Sequence, residues 1–168
     1  MKITGLSLLF IFVGFIGLTF GIIFLVQKEK FRRIRKVSSA LGATLYLEQE
    51  SIPAEYALLS DDIIYFWTYS WLFSKDIEGQ KYFVAQYIQK TATRAPFRYV
   101  AFVGFQNALS EEMRKQKQSQ VDEKFGAGQN ILVTNNGLYL YFVPPFSVTK
   151  ESIEKKIFIL KEVMEVVL

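Results

Sequence analysis

Residues 6–26 read LSLLFIFVGFIGLTFGIIFLV, and residues 28–36 just behind them read KEKFRRIRK. The first stretch has no charged residue, and sixteen of its twenty-one residues are Leu, Ile, Phe or Val. At about 1.5 Å per residue, a helix of this length covers roughly 30 Å, the thickness of the hydrocarbon core of a bilayer. The sequence therefore predicts a transmembrane helix over residues 5–27.

A cleavable signal peptide is the competing interpretation of this apolar segment. Signal peptides have an apolar stretch of about 7 to 15 residues, followed by a small-x-small cleavage site. Here the apolar run is longer, and it ends in Phe24-Leu25-Val26 before Gln27 and Lys28. The segment therefore fits a retained anchor better than a signal peptide.

The basic residues behind the apolar segment predict its orientation. They are Lys28, Lys30, Arg32, Arg33, Arg35 and Lys36. Positive side chains next to a span stay on the cytoplasmic side, so we expect a single-pass protein with the N-terminus outside and the C-terminal domain in the cytoplasm. These side chains should also bind lipid head groups, at about 1 kcal/mol each. Beyond residue 36 the net charge is −2, so no nucleic-acid partner is expected.

Small residues line one side of the predicted span. With spacings of seven, three and four, one helical face carries Ser7, Gly14, Gly17 and Gly21. Small side chains let a second helix approach closely, and Gly17 and Gly21 form a Gly-x-x-x-Gly pair. The four residues are candidate helix-packing residues, although glycine is also common in membrane helices that have no partner.

The helix is predicted to continue past the membrane as a basic amphipathic segment over residues 28–41. Apolar residues recur there at helical spacing, and Gly42 is placed to end the helix in a left-handed conformation. Residues 44–48 read as a first strand, and residues 53–59 read as a short helix that follows a serine cap. We expect one α+β domain over residues 43–168, on the cytoplasmic side.

The segment 63–73, IIYFWTYSWLF, is the most aromatic part of the chain. Its period of two predicts a strand with Tyr65, Trp67, Tyr69, Trp71 and Phe73 on one face. That face is either covered by the domain's own helices or is a contact surface for a partner or the membrane interface. On the second interpretation the partner-contact residues are Tyr65, Trp67, Tyr69 and Trp71. A helix that begins after Ser60-Asp61-Asp62 is the structural alternative.

The rest of the domain reads as an antiparallel sheet with helices. Residues 81–91 and 98–106 form a predicted antiparallel pair, and residues 110–124 are either a solvated helix or a mobile excursion. Asn136-Gly137 between two apolar runs predicts a hairpin, because both residues accept a positive φ. Thr149 is expected to cap a closing helix whose wide apolar stripe packs on the sheet.

This order of elements resembles a family of uncharacterised small membrane proteins that have a single span and a cytosolic α+β domain. The resemblance lies in the Arg-rich helix Arg32–Gly42, in the strand Tyr82–Tyr87 behind Glu78-Gly79, and in the chain from Ile131 onward. It covers most of the chain in its layout, and it implies no known active site.

The residue types available argue against an enzyme. The sequence has no His and no Cys, and it contains no phosphate-binding loop, calcium loop or nucleophile elbow. We therefore expect no catalytic residue, no metal and no cofactor. Two functions remain: a non-catalytic accessory or scaffold subunit of a membrane complex, which contacts membrane lipid and other membrane subunits or itself, or a lipid-responsive peripheral module held on the bilayer by its basic flank and aromatic face.

Overall fold

A computed structural model describes residues 5–47, 67–89, 98–127, 130–142 and 146–168. For residues 5–9, 67–69, 87–89 and 98 it describes only the backbone. The predicted helix over residues 53–59 lies outside the described residues, as do residues 63–66 of the aromatic segment. The chain divides into two compact units, Met1–Lys36 and Val37–Leu168, and each is described by itself.

The first element is α1, one helix over Gly5–Leu41. It runs through the apolar segment and the basic segment without a break, so the prediction that the helix continues past residue 27 is confirmed. Gly42 ends it with a φ of 62°, in the left-handed region expected from the sequence. The Ser38 hydroxyl donates a hydrogen bond to the carbonyl of Ala43 at 2.6 Å and so ties the last turn to the following strand.

Within the described ranges, six strands and two further helices follow α1. The strands are β1 (Thr44–Leu47), β2 (Trp67–Ile77), β3 (Gln80–Gln89), β4 (Arg98–Gly104), β5 (Ile131–Val133) and β6 (Gly137–Phe142). The helices are α2 (Glu111–Phe125), between β4 and β5, and α3 (Lys150–Val167), after β6. The strands form one antiparallel sheet in the order β1-β2-β3-β4-β6-β5. The predicted α+β class is confirmed.

The two tight hairpins have turns of different kinds. The β2–β3 turn consists of Glu78 and Gly79, whose φ angles of 57° and 80° are typical of a two-residue hairpin turn. The β5–β6 hairpin is confirmed, but the positive φ predicted at Asn136 and Gly137 is wrong. Instead the Thr134 hydroxyl closes this turn: it accepts from the Gly137 amide and donates to the Gly137 carbonyl, both at 3.0 Å.

A bulge in β2 changes the faces that the sequence predicts. Trp71 pairs with Gln86 of β3 and Tyr69 pairs with Tyr87, so Ser70 is an extra residue in the ladder. A bulge shifts the alternation of a strand by one residue. The prediction of an unbroken period of two through this strand is therefore wrong at Ser70. A period of two counted along the sequence cannot reveal one inserted residue.

Helix α3 covers one face of the sheet. Its apolar stripe is buried as the spacing predicts, and consists of Ile153, Ile157, Leu160, Val163, Met164 and Val167. Thr149 caps the helix as expected, because its side chain accepts from the Ser152 amide. At the rim of this face, the Lys156 ammonium lies 4.8 Å from the ring centroid of Phe142 on β6. The face under α3 is called the helix face below.

The opposite face of the sheet carries a second cluster of buried residues. It consists of Leu72, Phe83, Ala85, Val100, Phe102 and Tyr139, with Tyr46 and Tyr141 half-buried beside it. Phe102 stacks between Phe83 and Tyr139, at centroid distances of 5.0 and 5.7 Å. Strands β2, β3, β4 and β6 thus carry apolar side chains on both faces, which agrees with the prediction that residues 81–91 and 98–106 form central strands.

Candidate functional site

The apolar part of α1 is a candidate membrane surface. From Phe10 to Val26 every described side chain is exposed, and an 18-residue window of the helix Phe10–Leu41 has a mean hydropathy of 2.4. Among the described residues this is one helix long and apolar enough to cross a membrane. The Thr19 hydroxyl in this segment donates to the Phe15 carbonyl of the same helix at 2.8 Å.

The small-residue face of this helix is open. A methyl group added at Gly14, Gly17 or Gly21 would have no atom within 4 Å outside the helix's own backbone. The three glycines therefore leave a shallow groove along one side of α1, as their spacing predicts. The side chain of Ser7, the fourth predicted packing residue, lies outside the described set.

The basic flank forms the next part of α1. Its one acidic residue, Glu29, pairs with Arg33 at 3.1 Å and with Arg32 at 3.9 Å. At 100° per residue, Lys28, Arg32, Arg35 and Lys36 lie within about 100° of arc, on one side of the helix. These four side chains are exposed, and Lys30 is half-buried. The flank therefore presents positive charge on one side over about two turns.

Trp71, predicted as a partner contact, lies inside the sheet unit. None of its surface is exposed. Its ring lies 4.9 Å from that of Phe73 and 6.1 Å from that of Tyr99, centroid to centroid. Trp71 is therefore a core residue and cannot present a surface to a partner while the domain is folded. Of the other predicted contacts, Tyr65 and the side chains of Trp67 and Tyr69 lie outside the described residues.

Polar groups lie beside Trp71 on the helix face of the sheet. The Gln86 side-chain amide donates to the Tyr99 hydroxyl at 3.0 Å, while the indole nitrogen of Trp71 and the Gln86 side-chain oxygen are buried without a hydrogen-bond partner. Burial raises the pKa of Tyr99, and the hydrogen bond from Gln86 opposes that rise. Tyr99 therefore stays protonated at neutral pH and acts as a neutral hydrogen-bonding group within the core.

A cleft of about 500 Å³ lies at one end of the sheet, next to the Glu78-Gly79 turn. Its lining residues are Asp76, Gly79, Gln80, Lys81, Phe83, Gly104, Phe105, Gln106, Ala108 and Asn136. The Gln80 amide donates to the Gly104 carbonyl at 2.9 Å, and the Asp76 carboxylate accepts from the Gly79 amide at 3.0 Å. The volume is that of small-molecule sites, and the lining combines two charges, amides and two aromatic rings.

This cleft could not be predicted from the sequence. Its walls come from the β2–β3 turn, the chain after β4 and the β5–β6 turn, which are far apart in sequence and meet only when the strands pair. The Glu78-Gly79 turn is the sequence signal that could have located one wall of the cleft, because it fixes where β2 ends and β3 begins. Within the described part of the chain, no three His, Cys, Asp or Glu residues are close enough to hold a metal ion.

No family model, no curated protein and no solved structure matches this chain. The fold and the surfaces define a class only: an α+β protein whose described residues include one candidate membrane span and a six-stranded antiparallel sheet. Any function must be argued from the surfaces just described.

Proposed function

We propose that this chain is a non-catalytic accessory or scaffold subunit of a membrane protein complex. The observation that carries the proposal is the apolar part of α1, which is exposed all round and has an open groove at Gly14, Gly17 and Gly21. In lipid, helices associate mainly by close packing at such small residues. The partner is another membrane subunit or a second copy of this chain, and the sheet domain faces the cytoplasm.

The burial of Trp71 changes where the partner contact lies in this proposal. A contact surface on the aromatic strand would have added to the groove on α1, but Trp71 packs within the sheet unit. The anchor therefore supplies the main contact, and the cleft beside the Glu78-Gly79 turn is the second surface of the domain that a partner segment could enter.

Purification of the full-length protein from membranes in a mild detergent tests the function. We expect one or more membrane proteins to co-purify at a fixed ratio, because helix contacts survive in micelles that replace bulk lipid. Recovery of the protein as a monomer without companions, with phospholipid retained, would contradict the scaffold role.

A lipid-responsive peripheral module is the second candidate function. It is favoured by the one-sided positive charge of Lys28, Arg32, Arg35 and Lys36, since each basic residue near an anionic surface contributes about 1 kcal/mol of attraction. On this proposal the retained phospholipid is enriched in anionic lipids, and replacing these four residues by glutamine removes the enrichment.

Substitution of the groove glycines separates packing from membrane insertion. We expect Gly17→Leu and Gly21→Leu each to reduce the amount of co-purifying partner several-fold, because leucine fills the groove on α1. Leucine also favours insertion, so the amount of protein in the membrane should not fall. Ile23→Leu is the matched control, because at 100° per residue Ile23 lies on the side of the helix opposite to the three glycines. Unchanged recovery of partners by both leucine variants would leave the glycines without a role in packing.

A further inference from the structure

Helix α2 is held to the sheet in an unusual way. Its fifteen residues are almost all polar, and Val121 is its one buried side chain. Apolar packing therefore contributes little to its attachment. What joins it to the sheet is a side-chain amide, that of Gln118, which bonds to the backbone of strand β5.

The Gln118 amide occupies the outer edge of β5. Its nitrogen donates to the Ile131 carbonyl at 3.2 Å, and its oxygen accepts from the Val133 amide at 2.8 Å. The same nitrogen also donates to the Asp122 carboxylate at 2.8 Å, which fixes the orientation of the amide. One amide that bridges residues i and i+2 of a strand reproduces the bonds that a neighbouring strand would make. Gln118 therefore occupies hydrogen-bonding positions that a seventh strand would otherwise take.

The edge that Gln118 covers is one that could pair with a copy of itself. β5 is the last strand in the sheet, and its sequence Ile-Leu-Val consists of strand-favouring residues. Ile131 and Val133 direct their backbone N–H and C=O groups to the outer side. In an antiparallel pair centred on Leu132, Ile131 of one copy lies opposite Val133 of the other, and all of these groups are bonded.

We propose that the outer edge of β5 is a strand-pairing surface for a second copy of this chain, and that α2 keeps the edge closed through Gln118. Exposed edge strands tend to join other chains, and native proteins commonly cover them. Displacing this cover exposes Val121, gives up the bonds of the Gln118 amide and separates α2 from α3, which it also contacts. This inference uses only the unit Val37–Leu168, so it does not depend on the proposed role of the anchor.

A single cysteine at Leu132 tests the proposal, since the sequence has no cysteine of its own. The Leu132 side chain is 40% exposed, and in the antiparallel pair it would face its copy. In the full-length protein in detergent, we expect Gln118→Ala to raise the disulfide-linked dimer formed by Leu132→Cys about tenfold, the effect of one to two lost hydrogen bonds. Gln116→Ala, on the exposed side of α2, is the matched control and should leave the dimer fraction unchanged.

A second cysteine, placed away from the edge of β5, distinguishes pairing at this edge from association through α1. Phe158 on α3 is 60% exposed, and the dimer formed by Phe158→Cys should not depend on Gln118. Equal cross-linking at Leu132 in the Gln118→Ala and Gln116→Ala proteins would overturn the proposal, as would a rise at both cysteine positions. If Gln118→Ala lowers the stability of the whole domain, Gln118→Glu replaces it. Glutamate cannot donate to Ile131, and its carboxylate would repel that of Asp122, so a rise is expected again and no rise overturns the proposal.

Discussion

Replacing Trp71 by alanine is expected to lower the free energy of unfolding of the sheet unit by about 3 to 5 kcal/mol, the usual effect of truncating a buried tryptophan. Trp71 has no exposed surface, and its ring packs against Phe73 and Tyr99. Alanine would leave a cavity that the paired strands β2 and β3 cannot close, because their backbones are fixed by the ladder. Since small domains have about 5 to 15 kcal/mol in total, the loss is large.

Pulse proteolysis of the full-length protein in detergent, at increasing urea concentrations, measures this change. Phe158→Ala is the matched control, because it also removes an aromatic ring but from a side chain that is 60% exposed. Its effect should stay within about 0.5 kcal/mol of zero. A Trp71→Ala protein as stable as the Phe158→Ala protein would restore the prediction that Trp71 contacts a partner.

The second large effect is expected for the orientation of the protein in the membrane. A reporter fused after Leu168 should behave as cytoplasmic, because six basic residues follow the apolar segment and only Lys2 precedes it. Replacing all six by glutamine should shift the ratio of the two orientations by about tenfold or more, since each residue contributes about 1 kcal/mol at an anionic surface. The resulting population should carry the reporter on both sides.

The control for this variant replaces six other basic residues by glutamine, all far from the apolar segment in the sequence. Six basic residues of α2 and α3 serve this purpose: Arg114, Lys115, Lys117, Lys124, Lys150 and Lys155. They lie beyond the 15 to 20 residues next to a span that influence orientation, so their replacement should leave the reporter cytoplasmic. Labelling of the parent protein's reporter from outside intact cells would refute the predicted topology.

Most elements of the fold could be predicted from the sequence because their signals are local. The helix α1 follows from an unbroken apolar run, its end from Gly42, and α3 from a capping threonine with an apolar stripe. The hairpin at residues 131–142 was also found, although its turn uses the Thr134 hydroxyl in place of positive φ angles. These hydrogen bonds join residues at the ends of the two paired strands, so the Asn-Gly preference of hairpin turns could not predict them.

Some of the candidate surfaces could be predicted from the sequence, and others could not. The apolar span, its small-residue face and its basic flank are properties of one helix, and a helix has a fixed period of 3.6 residues, so sequence alone determined them. The burial of Trp71, the cleft beside the Glu78-Gly79 turn and the closure of β5 by Gln118 were decided only by the tertiary structure. Each depends on strand register and on contacts between residues distant in sequence, and the extra residue at Ser70 shifts the register between β2 and β3 in a way that no sequence period reveals.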